Sequence, residues 1–177
     1  MKSIFRVFSF SSLAGFLFFL QAGCGYTQKT VLPRNIKTIH VETFQNRVPI
    51  DQVYAYEPGL EIKMTNAIIR RLQRDGNLKV VSQEKADAVL EGELTRFDQE
   101  GLRFSNLERV EEYRIYLFVA LRLRDQKTGQ IIWEEPSFSG DAAYFVLGPR
   151  AVSRTKATDE AVEKLARNVV DRIVEDW

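Results

Sequence analysis

The chain has 177 residues, 45% of them apolar and 28% charged, with a formal net charge of +1. That length suits one domain with its own core, and the charge balance gives no reason to expect nucleic acid as a partner. One cysteine and one histidine (His40, in a strand-like stretch) leave no disulfide, no His/Cys metal set and no His-based triad, so neither a metal nor a cofactor is expected.

Lys2 and Arg6 open the chain, an apolar run ends in Phe16-Leu17-Phe18-Phe19-Leu20, and Gln21-Ala22-Gly23 leads to Cys24. Positive residues, then apolar ones, then small ones before a cut are the order of a secretory signal, here residues 1–23. A cysteine just after the cut reads as a bacterial lipoprotein signal, with Cys24 acylated and the protein tethered to a membrane outside the cytoplasm. The usual pattern has Leu three places before the cysteine; Gln21 stands there, with Leu20 one place earlier. Two alternatives stay open. A transmembrane anchor is disfavoured because Val7 to Leu20 falls short of the roughly 20 apolar residues a span needs. A signal cut elsewhere would leave Cys24 a lone thiol, unusual in a secreted protein. Loss of residues 1–23 removes Lys2 and Arg6, leaving 23 basic against 24 acidic side chains. Residues 24–33 then form the acylated N-terminus and tether, and residues 34–177 a single domain.

Ile36 to Phe44 alternates and is rich in β-branched residues, which predicts a first strand. A loop from Gln45 to Glu57 follows. Pro58 opens a helix whose apolar face is Leu60, Met64, Ala67, Ile68 and Leu72, with Arg70, Arg71 and Arg74 near its C-terminal end and Gly76 as its stop. Leu78 to Val81 is a short extended piece. Ala86 to Phe97 is a longer strand, with Ala88, Leu90, Gly92 and Leu94 on one side and Glu91 and Glu93 on the other. Residues 98–111 read as a charged connection. Glu112 to Arg124 is the clearest strand, with Tyr113, Ile115, Leu117, Val119, Leu121 and Leu123 sharing one face. Asp125 to Gly129 is a hairpin turn. Gln130 to Glu135 returns, with a continuation to about Ala143 after a bend at Pro136. A helix from about Ala151 buries Ala161, Leu165, Val169, Ile173 and Trp177, flanked by Val162 and Val170. The order predicts an α+β fold, a two-layer sandwich with two helices on one face of a mostly antiparallel four-stranded sheet.

The other face of strand 112–124 carries Arg114, Tyr116, Phe118, Ala120, Arg122 and Arg124. Arginine and aromatics together mark interfaces, so Tyr116 and Phe118 are candidates for a partner face; a solvated face, or one covered by the 98–111 connection, is the other reading. Glu91 and Glu93 share a strand face and would be the pair for a small periplasmic hydrolase. As an amphipathic strand's solvent side they need no catalytic role, and no catalytic residue is assigned.

Cys24-Gly25-Tyr26 after the signal, the strand ending Phe44-Gln45-Asn46, the helix before Gly76-Asn77-Leu78, and Ala86-Asp87-Ala88-Val89-Leu90-Glu91-Gly92 before a long hairpin together resemble the LptE-type lipopolysaccharide-assembly lipoproteins of Gram-negative outer membranes. The resemblance implies two helices on a four-stranded sheet. It implies an outer-membrane lipoprotein, lipid-anchored on the periplasmic side, that plugs a large β-barrel partner of the LptD type, assists its assembly and contacts lipopolysaccharide. It does not place lipid-contact residues by motif. Arginine grips phosphate bidentately, so the candidates for lipopolysaccharide contact are the connection and turn cations Arg103, Arg109 and Lys127, followed by the strand cations Arg114, Arg122 and Arg124. The rival partner reading is an accessory lipoprotein docked on a secretion channel or a cell-wall synthase.

Mass spectrometry of the mature N-terminus tests the first step: an acylated Cys24 is expected, and an unmodified cysteine contradicts the anchor.

Overall fold

A computed structural model describes residues 36–49 and 57–175; the expectations for the signal, Cys24, the tether and Trp177 fall outside them. The strands are β1 (Thr38–Val41), β2 (Gln45–Asn46), β3 (Lys79–Val80), β4 (Ala88–Phe104), β5 (Val110–Asp125) and β6 (Ile131–Phe145). The helices are α1 (Leu60–Asp75) and α2 (Arg154–Glu175). They form one six-stranded sheet in the order β3-β1-β4-β5-β6, with β2 on the same edge of β4 as β1.

The α+β layering stands, but the sheet is mixed rather than a four-stranded antiparallel one. β1 runs parallel to both β3 and β4, and β2 runs parallel to β4. Connectivity explains the β1–β3 pair. Between these strands the chain passes through the 16 residues of α1, so it returns to the end where it started, as parallel pairing requires. The strand expected at 36–44 is interrupted after Val41 and resumes as β2, which lay in the expected loop. Phe44 causes the break. Its ring turns into the core over Gly92, where a Cβ would collide with it, and its N–H donates to the Thr65 hydroxyl at 3.0 Å. Helix α1 begins at Leu60, with Gly59 in the left-handed region (φ 83°) and Pro58 outside it.

The largest departure concerns residues 98–111. They are no connection: β4 runs on to Phe104, β5 starts at Val110, and only Ser105 to Arg109 turn the chain. The charges of Asp98, Glu100 and Arg103 gave this stretch the look of a loop, yet all three pair opposite open-face residues of β5, namely Tyr116, Arg114 and Glu112. The strand β6 passes through Pro136 to Phe145, with a register shift opposite Val119–Leu121 taking up the proline. Helix α2 begins three residues after the expected Ala151.

The core lies between the helices and one side of the sheet. Phe97, Ile115, Leu117, Val119, Leu121 and Leu123 meet Leu60, Met64, Ile68, Leu72, Leu165 and Val169 there. Burying each such large side chain stabilises by roughly 1.5–3 kcal/mol. Gly140 lets α2 approach β6, because a Cβ there would stand 2.6 Å from Leu165 Cβ and 2.8 Å from the Ala161 carbonyl oxygen.

Asp87, just before β4, ties three segments together. Its Oδ2 accepts from the Thr38 hydroxyl at 2.8 Å, from Lys37 N–H at 3.1 Å and from Thr38 N–H at 3.2 Å. Its Oδ1 takes Lys127 Nζ at 3.1 Å from the β5–β6 turn. The Thr38 hydroxyl first, then the Lys37 N–H and the Lys127 ammonium, hold the carboxyl down at about 2, from an ordinary 3.8. A depressed folded pKa contributes stability above the unfolded pKa, and that contribution is lost as pH falls toward the folded value. Asp87→Asn is therefore expected to cost about 2 kcal/mol near neutrality. In denaturant titrations the gap to the parent should close between about pH 4 and pH 2; a gap independent of pH contradicts this role.

Candidate functional site: the projecting tip and the open sheet face

The long β4–β5 hairpin carries its turn beyond the helix layer. There the helix-covered core thins out: β4 residues are largely buried through Phe97 and mostly exposed from Gln99 onward. The turn is built on Ser105, whose N–H donates to the Arg109 carbonyl at 2.8 Å, while its hydroxyl accepts from the N–H groups of Leu107 and Arg109. Glu108 sits at φ 58° to close it.

Apolar side chains protrude here: Phe104 is 57% exposed, Leu107 75%, and Leu147 of the β6–α2 loop 62%, with Leu102 beside them. Cations accompany them. The Arg150 guanidinium carbon lies 4.1 Å from the Phe145 ring centroid and that of Arg103 lies 5.7 Å from it, so one ring serves two guanidiniums. Arg103 also faces Glu112 at 3.5 Å. Arg109 is exposed on the turn itself. Exposed leucines and a phenylalanine beside arginines make a surface suited to an anionic amphiphile.

The candidate cations therefore separate. Arg103 and Arg109 share the tip. Lys127 is at the opposite end of the hairpin pair, in the turn after β5, engaged with Asp87. Arg114, Arg122 and Arg124 lie along the open face and each meets a carboxylate. Arg124 gives two hydrogen bonds to Glu91 Oε1, at 2.9 and 2.6 Å. Arg122 donates to Glu134 at 2.8 Å and lies 3.6 Å from Glu91. Arg114 faces Asp141 at 3.7 Å, and Asp141 also meets Lys164 of α2. Glu93 faces Arg47 at 3.7 Å. Glu91 and Glu93 thus each face a guanidinium. Among the described residues, no group of three or more His, Cys, Asp or Glu is placed to hold a metal ion.

Tyr116 and Phe118 stack on the open face with centroids 6.1 Å apart. Arg96 lies over Phe118 at 3.8 Å and pairs with Asp98 at 2.8 Å. Sequence reading did not single out Arg96 or Arg150. Arg96 sits at a register shift that spoils simple alternation, and Arg150 sits in a Gly-Pro loop with no periodic pattern.

The LptE family, described as lipopolysaccharide-assembly, matches residues 36–177. No curated protein matches the chain. Among solved structures, a protein of Xanthomonas campestris is similar at 12% identity and TM-score 0.51, covering 81% of this chain and 85% of that one. A minor lipoprotein of Acinetobacter baumannii is similar at 11% identity and TM-score 0.50, covering 80% and 94%. A hypothetical protein of Chlamydia trachomatis is similar at 14% identity and TM-score 0.50, covering 78% and 95%. At these identities the structures speak to the fold alone. The family match extends over both helices and every strand of the sheet, and the chain belongs to the LptE lipopolysaccharide-assembly family.

Proposed function

We propose that this protein is an outer-membrane lipoprotein, anchored on the periplasmic side through acylated Cys24, that sits in the lumen of a large β-barrel of the LptD type. There it assists assembly of the barrel and contacts lipopolysaccharide on its way to the cell surface. It binds and scaffolds rather than catalyses, in keeping with the engagement of Glu91 and Glu93 in ion pairs.

The tip carries this reading. β1 enters the sheet beside Ala88, at one end of β4, and the Ser105–Arg109 turn is at the other. At about 3.3 Å per residue the 17 residues of β4 span roughly 55 Å. A bilayer's hydrocarbon core is about 30 Å thick. A chain tethered near its β1 end and enclosed in a barrel thus has the length to present its tip across the membrane. At that tip Arg103, Arg109 and Arg150 are placed for the phosphates of lipid A, and Leu102, Phe104, Leu107 and Leu147 for its acyl region. The surface outside the tip, of mixed and mostly paired charge, suits a polar barrel lumen.

Binding of lipopolysaccharide to the full chain in detergent tests the assignment. Charge reversal of Arg103, Arg109 and Arg150 together should weaken binding at least tenfold. Lys127→Glu should leave binding within twofold while lowering stability by less than about 1 kcal/mol. Unchanged binding in the triple variant, or a loss in Lys127→Glu matching it, contradicts the tip as the contact.

A further inference from the structure

We infer that the open face of the sheet is the surface that meets the inner wall of the barrel partner, through an aromatic ridge at Tyr116–Phe118 and a hollow beside it that receives a lysine or arginine from that wall. The inference rests on the proposed function for the identity of the partner and goes beyond it in naming the face and the partner's chemistry.

The hollow exists because Ala120 is small. Along β5 the open-face positions run Tyr116, Phe118, Ala120, Arg122 and Arg124, so one methyl stands between a ring and a guanidinium. Opposite Ala120, the register shift of β6 around Pro136 interrupts the next row of side chains. The result is a hollow of about 220 Å³ with Ala120 in its lining. Its walls carry four carboxylates, of Glu42, Glu91, Glu93 and Glu134, against two guanidiniums, of Arg47 and Arg122. Arg124, outside the lining, takes up Glu91. Among the described residues one carboxylate remains in excess; the Glu42 side chain accepts from the Gln83 amide at 3.5 Å, and no ion pair of Glu42 is seen among them. A cationic side chain entering the hollow would complete the balance.

The ridge supplies the other half of an interface. Tyr116 and Phe118 are half-buried and stacked, and Arg96 lies over Phe118 and pairs with Asp98. Aromatics and arginine beside a concavity are the side chains and shape on which protein interfaces concentrate their energy. Among the described residues, the exposed large apolar side chains are Ile62, Leu102, Phe104, Leu107, Ile131 and Leu147, none of which lines the ridge or the hollow. A lipid surface or an apolar helix therefore finds little to bury here. A polar wall of mixed charge does find complementary groups.

Site-specific photocrosslinking in the native cell tests this. p-Benzoylphenylalanine in place of Phe118 or Ala120 should give a covalent adduct with the barrel. The same probe in place of Gln73, exposed on the outer side of α1, should give at least tenfold less. With the probe at Phe118, Glu93→Arg together with Glu134→Arg should cut the adduct at least fivefold. Ala120→Trp fills the hollow without changing a charge and should do the same, which guards against a folding defect in the charge variants. Barrel adducts from Gln73 with none from Phe118 or Ala120 overturn the face while leaving the partner in place. Absence of a barrel adduct from every position overturns the partner, and the inference with it.

Discussion

The alternation of strand β5 is the constraint from which the rest of the molecule follows. Residues from Tyr113 to Arg124 send one set of side chains, Ile115 to Leu123, into the helices and the other, Arg114 to Arg124, to the open face. Both neighbours are registered to it almost from end to end, β4 through Ala88↔Asp125 to Phe104↔Val110 and β6 through Glu112↔Phe145 to Arg124↔Ile131. A slip of one residue would turn the apolar set into water and drive the arginines and rings of the other set into the core. The same pairing extends β4 and β5 past the helices, which makes the tip.

Much of this was legible in the chain. The alternation of β5, the Asp125–Gly129 turn and the apolar stripes of both helices are local patterns, and the structure keeps them as far as the described residues reach. What was not legible depends on partners distant in sequence. The parallel pairing of β1 with β3 and β4 involves two or three residue pairs at a time, too few to show in composition. The stretch 98–104 reads as a loop in the sequence because the partners of its charged residues lie across the turn. Lys127 looked like an available cation because its partner, Asp87, lies 40 positions away. The break after Val41 depends on Gly92, which admits the ring of Phe44 from the gap between β1 and β2.

The two sides of the sheet divide the work. Helices and core make a rigid half that fixes the register. The open half presents mostly paired charges, one aromatic stack and a hollow with a carboxylate in excess. The tip differs from both, with exposed leucines and phenylalanine beside arginines. The apolar exposure among the described residues is gathered mostly at one end, far from where β1 enters the sheet; the proposed ligand is placed at that end and the proposed partner along the length. Asp87 contributes at the opposite end, where it holds β1, β4 and the β5–β6 turn in one frame.

The central claim is that this chain serves a lipopolysaccharide-exporting barrel. Depletion of the protein in its native cell, followed by measurement of lipopolysaccharide at the cell surface and of the folded fraction of the barrel, tests it most directly. The account predicts that both fall together while other outer-membrane barrels mature normally. Normal surface lipopolysaccharide with a fully folded barrel after depletion would contradict it.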